Sequence, residues 1–166
     1  MRITGGLVMA AAVAGLLTGT PAVAADDVVT AYNPGGMAKV MRDAGYTADL
    51  DVDDYGDPVI KTSFGNYGGT IYFYGCDETN HDRCDSVQFR AGLDRKTAMP
   101  LSLLNQVIKK YRYSAVWLDD EGDPWVNFDV FTNAGISKDV FLTALKAYTE
   151  NLENVADQVF AEERGE

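Results

Sequence analysis

Apolar positions along this chain recur with two different periods, and the switches between the periods mark out its elements. Met37, Val40, Met41 and Ala44 form a helical stripe. Asn33 stands ahead of it as an N-cap, Pro34 takes the first helical position and Gly45 supplies a left-handed stop, so a short helix is predicted there. Residues 48–52, 58–64, 69–75 and 86–93 then read as strands of half-buried length between Gly- and Asp-rich turns. A second helix is expected over residues 100–110, burying Leu101, Leu104, Val107 and Ile108. Residues 113–118 and 125–131 give two further strands. Ser137 then caps a long helix in which Phe141, Leu145, Tyr148, Leu152, Val155 and Val159 keep helical spacing, and the tail from Glu162 is expected to fray. The result is an α+β fold with an antiparallel sheet of about six strands and helices before, between and after them.

The turns repeat. Asp53-Asp54-Tyr55-Gly56-Asp57-Pro58 is echoed by Asp119-Asp120-Glu121-Gly122-Asp123-Pro124, each time between two strands. Both read as three-residue hairpin loops, a type I turn closed by a glycine at positive φ. In the second, residue 119 faces 123, so Leu118 pairs with Pro124, Trp117 with Trp125 and Val116 with Val126.

Strand alternation then divides the side chains. Val116, Leu118, Val126, Phe128 and Val130 share an apolar face suited to lie under the helices, while Tyr113, Ala115, Trp117, Trp125, Asn127 and Asp129 share the other. The hairpin from Ile71 to Phe89 divides likewise: Ile71, Phe73, Val87 and Phe89 turn inward, leaving Tyr72 and Tyr74 beside Gln88 and Arg90. Aromatic residues among polar ones have the composition of an interface. Tyr72, Tyr74, Trp117 and Trp125 are therefore the candidate surface for a partner protein or for self-association. The competing expectation is that the long helix covers this face, or that the rings serve only as cross-strand pairs.

The N-terminus changes the setting. Arg2, the apolar run from Leu7 to Leu17 and Pro21-Ala22-Val23-Ala24 have the three parts of a secretory leader, with cleavage after about Ala24. The run is shorter than the roughly 20 apolar residues of a membrane span. A single domain over residues 25–166, periplasmic or extracellular, is the expectation. Removing the leader takes Arg2 and no acid, leaving 13 Lys plus Arg against 25 Asp plus Glu, a formal charge of −12. Such a balance repels nucleic acid and anionic lipid.

Cys76 and Cys84 are the only cysteines, and in an oxidising compartment they are expected to form a disulfide. The rival is a metal site, since the loop between them also carries His81 and several carboxylates. Zinc-knuckle ligands usually stand two to four residues apart, which favours the disulfide.

A family resemblance rests on Ala31-Tyr32-Asn33-Pro34, Met41-Arg42-Asp43-Ala44-Gly45-Tyr46, Gly56-Asp57-Pro58, Ile71-Tyr72-Phe73-Tyr74-Gly75-Cys76 and Trp117 through Trp125. In these the chain resembles the YbjN-domain family of bacterial proteins. The resemblance implies a fold similar to type III secretion chaperones, with a curved antiparallel sheet, and a role in sensory-transduction regulation. It brings no catalytic residues. The leader and the cysteine pair depart from cytoplasmic members and argue against a cytoplasmic chaperone role.

Other chemistry is poorly supplied. The chain has one histidine, His81, and no Gly-x-Ser-x-Gly elbow, Walker A loop or dinucleotide fingerprint. No cofactor is implied. A hydrolase using paired carboxylates and a weak Ca²⁺ site are the alternatives to a binding module. The candidate cation ligands are Asp51, Asp53, Asp57, Asp119, Asp120 and Asp123, provided the two acidic turns share one end of the sheet. The opening Asp51-Val52-Asp53-Asp54-Tyr55-Gly56 resembles an EF-hand loop, but the position of its bidentate Glu holds Thr62.

Overall fold

The computed structural model of the chain describes residues 28–165; the expected leader, residues 1–24, lies outside them. In chain order the elements are β1 (Val28–Val29), α1 (Pro34–Asp43), β2 (Asp49–Val52), β3 (Pro58–Phe64), β4 (Tyr67–Tyr74), β5 (Ser86–Gly92), α2 (Leu101–Lys110), β6 (Ala115–Leu118), β7 (Pro124–Phe131), β8 (Ile136–Ser137), α3 (Lys138–Val159) and α4 (Ala161–Arg164). Six strands form one antiparallel sheet in the order β2-β3-β4-β5-β7-β6, and β1 pairs with β8 in a separate two-stranded sheet.

Local chemistry starts the helices where the sequence places them. Asn33 Oδ1 accepts from Gly36 N–H at 2.9 Å, and Ser137 Oγ accepts from Val140 N–H at 3.3 Å, each satisfying a donor that the first helical turn cannot. Gly45 follows α1 at φ +91°.

The helices bury one face of the sheet. Ile60, Phe64, Ile71, Phe73, Val87, Phe89 and Val126 meet Met37 and Met41 of α1 and Phe141, Leu145, Tyr148 and Leu152 of α3 in one core. Its centre is aromatic. Tyr148 lies edge-on to Phe64 with ring centroids 4.7 Å apart, and Phe89 lies edge-on to Phe141 at 6.0 Å. Tyr148 also donates its hydroxyl to Val126 C=O at 2.7 Å, which resolves the one polar group of that ring and fixes α3 across the sheet. Burial pushes the Tyr148 phenol well above its ordinary range. Each such side chain contributes roughly 1.5–3 kcal/mol by leaving water.

Several expectations are corrected. Leu101 and Ile108 are 74% and 51% exposed; α2 instead packs Leu103, Leu104, Val107 and Tyr111 on the core, a stripe turned about a sixth of a turn from the expected one. Ala44 is exposed as the C-cap of α1, and Ala38 takes its place among the buried residues. The strand expected from Tyr113 begins at Ala115, because Tyr113 has φ +62° and cannot continue a ladder. The tail from Glu162 does not fray at once: α4 is held by Arg95. That guanidinium is buried, donates from Nη1 to Val159 C=O at 2.7 Å and from Nε to Thr97 C=O at 3.1 Å, and lies 3.4 Å from Glu163 Oε1. It thereby satisfies the last carbonyl of α3.

Candidate functional site

The sheet face away from the core carries all four aromatic residues singled out in the sequence, and α3 does not cover them. The pairings are Trp117 with Trp125, Trp125 with Gly92 and Asn127 with Arg90, and Tyr72 with Gln88. Alternation puts all of these opposite to the core residues. Trp117 and Tyr74 are each 41% exposed, while Tyr72 and Trp125 are half-buried.

The four do not form one continuous patch. Trp117 and Trp125 stack with centroids 5.9 Å apart and planes 14° from parallel. Trp125 rests on Gly92, where a Cβ would approach its ring to 3.2 Å, so the absence of a side chain on β5 makes the seat. With the Asn127 amide oxygen turned toward it, Trp117 Nε1 donates to Asn127 at 3.0 Å. Tyr72 and Tyr74 form a second group on β4, tied together by Arg90 from β5. Its guanidinium lies 4.7 Å from the centre of the Tyr72 ring and donates to Tyr74 Oη at 3.1 Å and to Gln88 Oε1 at 2.7 Å. Gln88 in turn donates to Asp129 at 2.8 Å. A polar row on β5 and β7 therefore separates the two aromatic groups. Sequence alternation placed Arg90 and Gln88 beside the tyrosines; it did not show that Arg90 binds both rings.

The acidic turns have the hairpin geometry expected of them. Asp53 and Asp57, and likewise Asp119 and Asp123, face each other across three-residue loops, with Gly56 at φ +93° and Gly122 at φ +85°. In each turn the first aspartate accepts two backbone N–H bonds: Asp53 Oδ1 from Tyr55 and Asp57, and Asp119 Oδ1 from Glu121 and Asp123. Trp125 Nε1 donates to the other Asp119 oxygen at 2.9 Å. That bond, with the Asp123 N–H next, holds the Asp119 carboxyl below its ordinary range.

The condition for a shared cation site fails. The first turn joins β2 to β3 and the second joins β6 to β7, at opposite edges of the six-stranded sheet, four strand spacings or about 19 Å apart across it. Strand polarity also places them at opposite ends of the strands. Asp51, Asp57 and Asp123 have other partners. Asp51 is paired with Lys61, which lowers its carboxyl below the usual range. Asp57 Oδ1 is 2.8 Å from His81 Nδ1, and Asp123 Oδ1 accepts from Arg95 N–H at 2.9 Å. Asp120 projects from the second turn and is exposed. Among the described residues no three His, Cys, Asp or Glu side chains are grouped to hold a metal ion.

Cys76 and Cys84 are joined in a disulfide, so the rival metal reading of that loop is corrected. Inside it Asp77 Oδ1 accepts from Thr79 and Asn80 N–H at 3.0 and 2.9 Å, which lowers the Asp77 carboxyl. His81 leaves the loop to meet Asp57 and lies over Gly56. The disulfide hairpin and the first acidic turn are thus packed together, a contact that the sequence did not signal.

The sheet thus has its helices on one side and aromatic and charged side chains on the other. The comparison with known families gives it a place: the chain belongs to the YbjN family, described as "Putative bacterial sensory transduction regulator", whose sequence model matches residues 33–161. No curated protein matches the chain. The family is described as a regulator and not by a reaction, and the chain shares that general regulatory description. No helix among the described residues is long and apolar enough to cross a membrane.

Proposed function

We propose that this chain is an exported binding module that recognises a protein partner through the sheet face bearing Tyr72, Tyr74, Trp117 and Trp125. The observation that carries this reading is the stacked Trp117–Trp125 pair on a face free of helices, with Trp117 41% exposed. Trp, Tyr and Arg are the residues most enriched at the centres of interfaces, and here Arg90 is already ordered between two tyrosines. Export is supported by the leader-like N-terminus and by the Cys76–Cys84 disulfide, a bond that persists in oxidising compartments. The formal charge of −12 after leader removal favours a partner with a basic rim around its contact.

The experiment is a photo-crosslinking residue placed at position 117, compared with one at Val140 on the exposed side of α3, in the native host after fractionation of its envelope. A discrete adduct from position 117 alone, in the exported fraction, supports the proposal. Equal labelling from both positions, or protein retained in the cytoplasm, contradicts it.

A further inference from the structure

The edge strand β2 is exposed at all four of its residues and ends the sheet. Its ladder fixes which backbone groups face outward. Asp53 N–H donates to Asp57 C=O at 2.9 Å at the mouth of the turn, and from there Val52 pairs with Pro58, Asp51 with Val59, Leu50 with Ile60 and Asp49 with Lys61. Hydrogen-bonded and non-hydrogen-bonded pairs alternate in an antiparallel ladder. Asp49 and Asp51 therefore direct their N–H and C=O to β3, and Leu50 and Val52 direct theirs outward. Pro58, which has no N–H, sits at a non-hydrogen-bonded pair, as this requires.

Part of that outward edge has partners within the chain. Arg42 Nη1 donates to Ala48 C=O at 2.6 Å, and Val52 N–H donates to Asp51 Oδ1 at 3.0 Å. Leu50 N–H and C=O and Val52 C=O have no partner among the described residues. Edges are ordinarily blunted by charge on both faces, by proline or by a bulge. Here the side chains divide instead. Leu50 and Val52 turn to the helix side, 52% and 62% exposed, beside an apolar groove that includes Pro34, Gly35 and Pro58. Asp49 and Asp51 turn to the other side. Lys61 bonds Asp51 and is also the cross-strand neighbour of Asp49, so the two carboxylates on that face share one cation.

We propose that the β2 edge captures an extended peptide segment with alternating apolar and basic side chains, adding it to the sheet as a further strand. Backbone bonds to Leu50 and Val52 supply affinity, and alternate side chains supply selectivity, as in strand addition generally. A residue opposite Leu50 sets its side chain against the apolar groove. Its neighbours then lie on the Asp49 and Asp51 face, where Lys or Arg is favoured and Asp or Glu is opposed. The acidic chain, at net −11, attracts the same partner at longer range. A second copy is a poorer occupant, because β2 against β2 in antiparallel register brings aspartate to aspartate. This site lies at the opposite edge of the sheet from Trp117 and does not depend on the aromatic face.

The test uses the purified protein and an end-capped eight-residue peptide alternating Lys and Val. Its controls are an isomer with the lysines and valines grouped and a Glu-Val alternating peptide. Binding is read by anisotropy, and site by hydrogen exchange of the Leu50 and Val52 amides. The alternating Lys peptide is expected to bind at least tenfold tighter than either control and to slow exchange at Leu50. Asp49→Lys should weaken it about tenfold with the melting temperature little changed. Leu50→Pro, which removes an outward N–H that β3 does not use, should abolish it. Should Leu50→Pro fail to fold, Asp49→Lys and the exchange data decide. Equal binding of the grouped isomer, or binding without protection of Leu50, would overturn the proposal. So would sedimentation showing that the chain pairs with itself through this edge.

Discussion

Trp125 donates its indole N–H to Asp119 Oδ2 at 2.9 Å, while the other oxygen of that carboxylate closes the β6–β7 turn. One aspartate thus fixes both the hairpin loop and the ring on which Trp117 stacks. The lowered Asp119 carboxyl sets the sign of a pH effect: its contribution is present above the ordinary carboxylate range and is lost as pH falls through the lower folded value. Tryptophan fluorescence should stay constant down to about pH 4 and change only below it. Asp119→Ala should remove this transition and shift the emission already at neutral pH, read by an acid titration of both proteins. A transition centred at or above pH 4 in the parent protein would show that Trp125 does not hold the carboxylate.

Arg95 joins the loop after β5 to the ends of α3 and α4. Arg95→Ala leaves the Val159 carbonyl and Glu163 without their cation and should lower stability by about 2–4 kcal/mol. Hydrogen exchange should localise the loosening to α4 and the last turn of α3, with the Trp117–Trp125 stack unchanged. Uniform loosening of the whole chain would assign Arg95 a different role.

Tyr148 offers a test of the core from the alkaline side. Burial raises its phenol, so the folded protein keeps the proton when the unfolded chain begins to lose it near pH 10. Its contribution is complete below that pH and declines as pH rises above it. A phenolate absorbance titration should leave one tyrosine protonated until the protein unfolds. Tyr148→Phe loses the bond to Val126 C=O and should cost about 1 kcal/mol in urea denaturation.

The Cys76–Cys84 bridge closes a short loop. Cys84→Ser should cost about 2–3 kcal/mol on the chain-entropy account, and the intact protein should weigh two hydrogens less than its reduced form. Since His81 carries the loop to Asp57, reduction should also speed hydrogen exchange in the first acidic turn and leave the second, at the far edge, unaffected. Equal acceleration in both turns would contradict the packing described.

What the sequence made legible was local. Asn33 and Ser137 cap neighbouring N–H groups, Gly56 and Gly122 close loops of fixed length, and the register of Trp117 with Trp125 follows from counting outward from such a loop. Long-range order was less legible. The position of β5 beside β7 puts the acidic turns at opposite edges, and nothing in either turn encodes it. The β1–β8 pair is only two residues long and joins Val28 to Ser137 across most of the chain, too short for any periodicity to show. Arg95 gave no signal because a lone arginine in a loop is ordinarily solvated; its burial comes from α3 and α4 arriving over it. In α2 the apolar residues spread over more than one face, so Leu101 and Ile108 fitted a stripe that the core did not select.

The partner surface is tested most directly by Trp117→Ala. The ring is exposed, and its stack on Trp125 is worth about 0.5–1.5 kcal/mol, so the melting temperature should fall by only a few degrees. The measurement pairs that melting temperature with recovery of the crosslinked partner from the native envelope. The account predicts partner recovery lost with the fold retained; a large drop in melting temperature with recovery unaltered would make Trp117 a structural residue and contradict it.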